Sequence, residues 1–230
     1  MPQHYAISDI HGCINTFKTL LSDAMKVTPD DTIYLLGDYI DRGASSKQVL
    51  DMLIEMQKSY RHLYILRGNH EQMMLEASRS QRHYINWMMN GGGNTLKSFR
   101  LNYMEGIAAT KKIPALYLDF IETMPWYLET AEFIFVHAGL NLTIADPFSD
   151  KESMLYLRDI PQGDQFLQGR KIIHGHTPQP PEKLKEALLS GERNHYNIDS
   201  GCVYDHPGLG YLSALDFNHM KLYSIKRCRE

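Results

Sequence analysis

The 230-residue sequence predicts an α/β fold, and three observations support this. Short apolar runs rich in β-forming residues recur along the chain. Most of these runs are followed by a few polar residues and then by apolar residues at helical spacing. Hydrophobic residues make up 43% and charged residues 22% of the chain, which is typical of a globular protein with a substantial core. We therefore expect a single domain over residues 1–230, of α/β type or built as a large sandwich.

The first strand, turn and helix are predicted close to the start of the chain. Residues 4–8 form an apolar run, which is followed by the polar turn Asp9-Ile10-His11-Gly12. The next apolar residues recur at helical spacing and predict a helix. They are Ile14, Phe17, Leu20, Leu21 and Ala24.

The same order repeats twice. Residues 33–36 precede GDYIDRG and a second predicted helix, which Ser45 or Ser46 could cap. Its inward-facing residues are Val49, Leu50, Leu53 and Met56. Residues 63–66 then form a third strand before RGNHE.

Residues 72–123 are rich in Met, Tyr and polar residues and predict a helical insertion over the sheet. The helical pattern is interrupted by the glycines at 91–93 and before Pro114. Several large apolar side chains in this insertion are expected to pack in the core or in a lid rather than bind a cofactor. They are Met73, Met74, Trp87, Met88 and Met89.

Strands are predicted again after the insertion, with Pro, Gly and Asn between them. The predicted ranges are 133–136, 171–173, 196–198, 211–217 and 221–225. The last stretch is expected to be antiparallel.

Charge, cysteine content and hydropathy exclude several classes of protein. A net charge of −3 and a pI near 6.4 do not favour duplex nucleic acid as a partner. The three cysteines are widely spaced, which indicates neither a disulfide framework nor a zinc–thiolate site, so Cys13 and Cys202 are expected to be inert thiols. No signal peptide and no apolar stretch near ~20 residues is present, so we expect a cytoplasmic protein that does not bind membranes.

Polar clusters lie just past the ends of five predicted strands. They are Asp9 with His11, Asp38 with Asp41, Asn69 with His70, His137 alone, and His174 with His176. In open α/β sheets, ligands bind where the loops at the carboxyl ends of the strands meet. We therefore expect the five clusters to converge on one site.

The donor atoms in these clusters indicate a transition-metal site. Carboxylate, imidazole and amide ligands suit Mn, Fe, Zn or Ni, whereas a cluster without His would suggest Mg or Ca. Each cluster alone is more typical of turn chemistry, but five at strand ends are difficult to explain as turns. Asp38 is the candidate to bridge two ions, because a single carboxylate can hold two cations.

Five motifs, SDIHG, GDYIDRG, LRGNHE, FVHAG and IHGHTP, are in this order similar to those of the calcineurin-like metallophosphoesterases. The sequence most resembles the phosphoprotein phosphatase branch, which includes small bacterial and phage serine/threonine phosphatases. The resemblance runs from Ser8 to about Phe217. It implies a sandwich of two mixed β-sheets flanked by helices.

The resemblance also implies a ligand set for two divalent ions, with Mn²⁺ preferred and Fe, Zn or Ni as alternatives. The first ion would be held by Asp9, His11 and Asp38, and the second by Asp38, Asn69, His137 and His176. Two such ions lower the pKa of a shared water and bind the phosphoryl oxygens, so hydrolysis needs no covalent enzyme intermediate.

The same resemblance implies further roles. His70 would protonate the leaving oxygen, a step that contributes ~10²–10⁴-fold, and Asp41 would orient its ring. Arg42 and Arg158 would hold the phosphate oxygens through their planar guanidinium groups. Two further residues of the motifs, Arg67 and Glu71, would support the ligands from behind.

The sequence departs from many relatives outside the phosphoprotein branch at the IHGHTP motif. Those relatives have GHxH, but here Thr177 and Pro178 follow His176, which leaves the first metal more open. His174 lies two residues before His176, so on an extended strand both would point to the same side. His176 is favoured as the ligand, and His174 as a supporting or structural residue.

The leading functional hypothesis is a metal-dependent serine/threonine protein phosphatase, with phosphorylated proteins or peptides as substrates and inorganic phosphate as product. A symmetrical dinucleoside tetraphosphate hydrolase is the alternative. A non-catalytic binding module is less well supported, because every ligand position is filled. A nuclease is disfavoured by the acidic net charge.

Overall fold

The computed structural model describes residues 2–191 and 194–230 and contains two β-sheets. The strands are β1 His4–Ile7, β2 Thr32–Leu35, β3 His62–Ile65, β4 Tyr127–Glu129, β5 Phe133–Val136, β6 Lys171–His174, β7 His195–Asn197, β8 Tyr211–Asp216 and β9 Lys221–Lys226. One sheet has the order β3-β2-β1-β8-β9 and the other β4-β5-β6-β7. Both are mixed, because β1 to β3 and β5 to β7 are parallel while β8, β9 and β4 pair antiparallel.

Helices connect and cover these strands. They are α1 Ile14–Thr19, α2 Ser46–Ser59, α3 Asn69–Glu76, α4 Gln81–Met89, α5 Gly92–Ser98, α6 Ile107–Thr110, α7 Ala115–Glu122, α8 Lys151–Tyr156, α9 Asp164–Leu167 and α10 Pro181–Ser190. The chain continues from α1 as a π-helix, Leu20–Met25, and Lys26 ends it in the left-handed conformation. No helix within the described ranges is long and apolar enough to cross a membrane.

The alternation of side chains along the strands produces four layers. Ala6 and Tyr34 of the first sheet pack against Phe135 and Ile173 of the second, and these residues form the core between the sheets. The opposite faces of both sheets pack against helices. Ile7, Ile33 and Leu35 contact the cluster that includes α1, α2 and helices α3 to α7, whereas Ile134, Val136 and Ile172 contact Met154 of α8 and Leu167 of α9. The predicted sandwich of two mixed sheets flanked by helices is thus confirmed.

Some local predictions were wrong. Strand β4 was not predicted; it is a three-residue edge strand with no fully buried side chain. Neither serine caps α2, because Ser45 makes no side-chain hydrogen bond to the helix and the Ser46 hydroxyl accepts the N–H of Asp41 at 3.0 Å. Of the five apolar side chains expected to pack in the core or in a lid, Met89 is 82% exposed and so lies outside the core.

Candidate metal centre

The parallel strands of each sheet end at the same level. Ile7, Leu35 and Ile65 are aligned across β1, β2 and β3, as are Phe135, Ile173 and Tyr196 across β5, β6 and β7. The loops that follow these strands carry the predicted ligands. Asp9, His11, Asp38 and Asn69 follow strands of the first sheet, and His137 and His176 follow strands of the second.

One group of predicted ligands surrounds Asn69. The Oδ1 atom of Asn69 lies 2.9 Å from Nε2 of His137 and 3.1 Å from Nδ1 of His176. Asp38 Oδ1 lies 3.4 Å from the same His137 nitrogen. Asp38, His137 and His176 offer ligand atoms that lie within 4.8 Å of one another, which is close enough to share one ion.

A second group lies on the other side of Asp38. Its Oδ2 atom is 3.6 Å from Nε2 of His11 and 3.8 Å from Nε2 of His70. Asp9 is tied to both sheets' loops, because its carboxylate accepts the N–H of His176 at 3.2 Å. The carboxylate of Asp38 therefore stands between two groups of donors, as its predicted bridging role requires.

The tautomers of two imidazoles suit metal binding. Nδ1 of His11 donates to the carbonyl of Ile40 at 2.8 Å, and Nδ1 of His137 donates to that of Leu36 at 2.9 Å. A carbonyl can only accept, so both Nδ1 atoms carry the proton and both Nε2 atoms present lone pairs to the carboxylates.

These donor atoms fit a divalent cation. Lone pairs of imidazole and amide groups face carboxylate oxygens in a buried site, an arrangement that is unfavourable unless a cation lies between them. Burial, followed by the charges of Asp199 and Asp38, raises the pKa of Asp9 well above its usual range. Burial likewise raises the pKa of Asp38 and lowers those of His11 and His137. A metal ion would favour the charged carboxylates and the neutral imidazoles together.

The backbone around the site is held in unusual conformations. Five of its residues have positive φ, a region that non-glycine residues rarely adopt. They are His11 (47°), Asp38 (55°), Asp41 (70°), Arg42 (64°) and His176 (70°). The loops after β2 and β3 also touch closely, since a Cβ on Gly37 would lie 2.6 Å from Gly68 Cα. Close backbone approach here requires glycine.

Glu71 and Arg67 support the site in different ways. The Glu71 carboxylate accepts the N–H groups of Asp38 and Tyr39, each at 2.8 Å, and of Gly68 at 3.0 Å, so it fixes the loop that presents Asp38. Arg67 donates to the carbonyls of Ile121 and Glu122 at the end of α7. It therefore anchors α7 beside α3 rather than the ligand side chains.

His70 and Asp41 form a buried pair. Nδ1 of His70 lies 2.7 Å from Oδ2 of Asp41, and both side chains are fully buried. Asp41 also accepts hydrogen bonds from the Trp87 indole at 2.9 Å and the Thr95 hydroxyl at 2.6 Å. Burial raises the pKa of Asp41 to about 7, while burial and the charge of Arg42 lower the pKa of His70. Nε2 of His70 is buried without a hydrogen-bond partner among the described atoms.

The two predicted phosphate-binding arginines lie near the ligands. Arg42 Nη1 is 2.6 Å from Nε2 of His11. Arg158 is exposed, and its charge, after burial, contributes to lowering the pKa of His176 to about 4. Arg158 is therefore accessible from solvent near His176, whereas half-buried Arg42 contacts a candidate ligand directly.

His174 does not share a side with His176, contrary to the expectation for an extended strand. Strand β6 ends at His174, and His176 follows in the left-handed conformation, which turns its ring toward Asn69. Nε2 of His174 instead faces Nδ1 of His195 at 3.3 Å. His174 lines a cavity of about 320 Å³ beside Arg158.

Sequence reasoning missed two residues at the site. Asp199 is buried just after β7, accepts the N–H of Gly201 at 2.8 Å, and has a pKa raised to about 6 by burial. Asp199 directly follows the predicted strand 196–198, and the same position after a strand identified the other polar clusters. Tyr204 lies under the guanidinium of Arg42, and nothing in the local sequence indicates that contact.

Comparisons with known proteins agree with this geometry. The sequence profile of the family described as calcineurin-like phosphoesterase matches residues 5–222. The asymmetrical bis(5′-nucleosyl)-tetraphosphatase PrpE of Anoxybacillus flavithermus is 25% identical over 246 aligned positions, which cover 95% of this chain and 92% of that protein. Serine/threonine-protein phosphatase 1 of Salmonella typhimurium is 36% identical over 88 positions, which cover 38% of each chain.

A solved structure provisionally assigned as a diadenosine tetraphosphatase superimposes with a TM-score of 0.67 at 18% identity, covering 100% of this chain and 97% of that one. At this identity the likeness shows the fold alone.

Proposed function

Because the chain belongs to the calcineurin-like phosphoesterase family, an enzyme family of metal-dependent hydrolases, we propose that it removes phosphate from phosphoserine and phosphothreonine in proteins. A phosphorylated protein or peptide is the proposed substrate, and inorganic phosphate is the product. One catalytic domain over residues 1–230 is proposed to carry the reaction.

The observation that carries the substrate proposal is the His70–Asp41 pair. A serine or threonine alkoxide is a poor leaving group, so its departure requires a proton donor. Asp41 holds the proton on Nδ1 of His70, which leaves Nε2 to exchange a proton with the substrate. Trp87 and Thr95 fix Asp41 in turn, so the ring is held before substrate arrives.

The proposed metal ligands are those predicted from the sequence. Asp9, His11 and Asp38 would hold one ion, and Asp38, Asn69, His137 and His176 the other. Imidazole ligands favour a transition metal, and Mn²⁺ is our proposal. When bound, such a pair of ions lowers the pKa of water and offsets the charge of the phosphoryl oxygens.

The side chains of the protein supply the remaining parts of the reaction. Arg42 and Arg158 are proposed to bind the phosphoryl oxygens and orient the ester bond for in-line attack. His70 is proposed to act from its doubly protonated form, in which Nε2–H gives its proton to the departing oxygen while Nδ1–H stays on Asp41, so that the ring becomes neutral. The buried carboxylates and imidazoles are shielded from bulk water, which strengthens these electrostatic interactions.

A dinucleoside tetraphosphate is the second candidate substrate. It is favoured by the Anoxybacillus flavithermus tetraphosphatase, whose similarity covers 95% of this chain, whereas that of the Salmonella typhimurium phosphatase covers 38%. The chemistry of the site favours the monoester, because a nucleotide leaves as a stabilised phosphate anion that needs little protonation.

The test compares kcat/KM for phosphoserine peptides and for diadenosine tetraphosphate on Mn²⁺-reconstituted protein. We expect the peptides to react faster, and Asp41→Ala to narrow this gap by impairing the alkyl ester selectively. Asp216→Ala is the matched control, because Asp216 also pairs with a histidine, His219, at 2.8 Å but lies in β8. Faster cleavage of the dinucleotide by the unmodified protein would contradict the phosphatase assignment and leave the metal centre intact.

A further inference from the structure

The guanidinium of Arg42 makes two contacts beside the candidate ligands. Its Nη1 atom lies 2.6 Å from Nε2 of His11, and its Cζ atom lies 5.4 Å from the ring centroid of Tyr204. The backbone of Arg42 is fixed, because its N–H donates to the carbonyl of Gly91 at 3.3 Å and its φ is +64°. The Cα position of Arg42 is therefore fixed, and the contacts of the side chain determine the position of its guanidinium group.

The contact with His11 conflicts with the proposed ligand role of that residue. Nδ1 of His11 donates to Ile40, so Nε2 has a single lone pair. That lone pair can accept a hydrogen bond from Arg42 or bind a cation, but not both. When His11 binds a metal ion, Arg42 loses its hydrogen bond to His11. Its contact with the Tyr204 ring then remains.

Tyr204 is itself held in place. Its N–H donates to the carbonyl of Gly201 at 2.9 Å, which closes a turn directly after the buried Asp199 and Ser200. Gly201 has φ +65°, and a Cβ there would lie 3.1 Å from the Tyr204 ring. Burial raises the pKa of the Tyr204 hydroxyl, the charge of Arg42 lowers it, and that of Asp199 raises it. The ring thus contacts the guanidinium and is close enough to the buried carboxylates to be affected by their charge.

An aromatic ring close to a guanidinium attracts its charge without using its hydrogen-bond donors. Arginine has five N–H donors in one plane, and the π-face of a ring within about 6 Å attracts the cation electrostatically. The donors stay free to bind a phosphate group, while the long side chain loses some of its alternative rotamers before the phosphate arrives.

We propose that Tyr204 is a positioning residue that holds the guanidinium of Arg42 where it binds the substrate phosphate. This inference rests on the proposed role of Arg42 and adds a residue that the family motifs above do not include.

The test measures the affinity of inorganic phosphate for the Mn²⁺-reconstituted full chain by calorimetry, together with KM and kcat on an aryl phosphate. Tyr204→Leu should weaken phosphate binding roughly 3- to 10-fold, the range of a partly exposed cation–π contact. Tyr204→Phe keeps the ring and should restore wild-type affinity. Tyr103→Leu is the control, because it removes a surface ring 5.2 Å from Lys97 in the insertion and should change nothing.

A double-mutant cycle separates positioning from general packing. In an Arg42→Ala background, Tyr204→Leu should cause no further loss of phosphate affinity. A full additional loss there, or an equal loss in Tyr204→Phe, would overturn the inference. Arg42→Lys tests the same contact from the other side if Tyr204→Leu fails to fold, and it should weaken phosphate binding, since an ammonium group cannot stack as a plane.

Failure of the inference and failure of the proposed site give different results. Weak phosphate binding by Arg42→Ala with normal binding by Tyr204→Leu rejects Tyr204 alone. Normal binding by Arg42→Ala removes Arg42 from the phosphate site, and the inference falls with it.

Discussion

Asp38 places one carboxylate between the two groups of candidate ligands. Its Oδ1 atom faces His137 and its Oδ2 atom faces His11. Replacing it with Asn removes the charge that both proposed ions share, so we expect Asp38→Asn to lose metal at both positions and to lose activity. The number of bound ions per chain, measured by elemental analysis, should fall from about two to well below one.

Asp31→Asn is the control for that change. Asp31 is also a buried carboxylate, but it bonds to Gln3 and Thr28 away from the centre. If Asp38→Asn keeps near-normal turnover and metal content while Asp31→Asn behaves like the unmodified protein, the bridge is assigned to the wrong residue.

His70 is near enough to Asp38 to be a ligand, and its removal distinguishes a ligand from a proton donor. We expect His70→Asn to retain metal and to lose roughly 10²–10⁴-fold in kcat on alkyl phosphates. The loss should be smaller on aryl phosphates, whose leaving groups need less protonation. Loss of metal would make His70 a ligand, and an equal loss on both substrates would show that it positions another group.

Helix α3 begins with residues that hold the loop after β2 in place. Glu71, in its first turn, accepts backbone N–H groups from that loop and from Gly68. A glutamine offers one acceptor oxygen in place of two and turns N–H donors toward N–H donors. We expect Glu71→Gln to lower the free energy of unfolding by about 2–3 kcal/mol, measured by urea titration.

The matched control is Glu76→Gln at the other end of α3, where the side chain is half-buried and bonds to Gln72 and Arg79. Glu76→Gln should lower the free energy of unfolding by less than about 1 kcal/mol, because ion pairs near the surface usually contribute no more than that. Equal losses in the two variants would mean that Glu71 contributes no more than a surface contact.

Strand positions were predictable from sequence to within about one residue, because fully buried strands such as β5 read as continuous apolar runs. Strand β4 was not predicted because it is short and its side chains are half-buried or exposed, so it contains no continuous apolar run. The positions of the candidate ligands just after the strand ends were also predictable from sequence. The directions of their side chains were not predictable, because the left-handed backbone at His176 points its ring away from that of His174. Contacts such as Trp87 with Asp41 join residues far apart in sequence and require the tertiary fold.

Across the whole molecule, metal binding should depend on pH through the buried carboxyl groups. Burial raises the pKa of Asp9 and of Asp38, so their protonation stabilises the metal-free folded chain at lower pH, and this contribution is lost as pH rises through the raised values. Protons and metal compete for these groups. The pKa values of His11 and His137 are lowered, so these rings are already neutral and compete little.

We therefore expect the rise in Tm caused by Mn²⁺ to be larger at pH 8 than at pH 6, measured by differential scanning calorimetry with a chelated sample as reference. Asp38→Asn should show a small Mn²⁺ effect at both pH values. A rise in Tm that is the same at pH 6 and pH 8 in the unmodified protein would show that these carboxyl groups do not limit metal binding.

The candidate ligands come from two separate sheets, with Asp9, Asp38 and Asn69 on one and His137 and His176 on the other. Within the part of the chain that the structure describes, the two sheets share no strand ladder. An ion bound between their loops would join the sheets at this end of the sandwich, as a crosslink does. Bound metal would then oppose slow opening of the structure in which the two sheets separate at that end. Amide hydrogen exchange in the loops after β2 and after β5 should slow together on addition of Mn²⁺, whereas exchange at the β8–β9 turn, which carries no ligand, should not change.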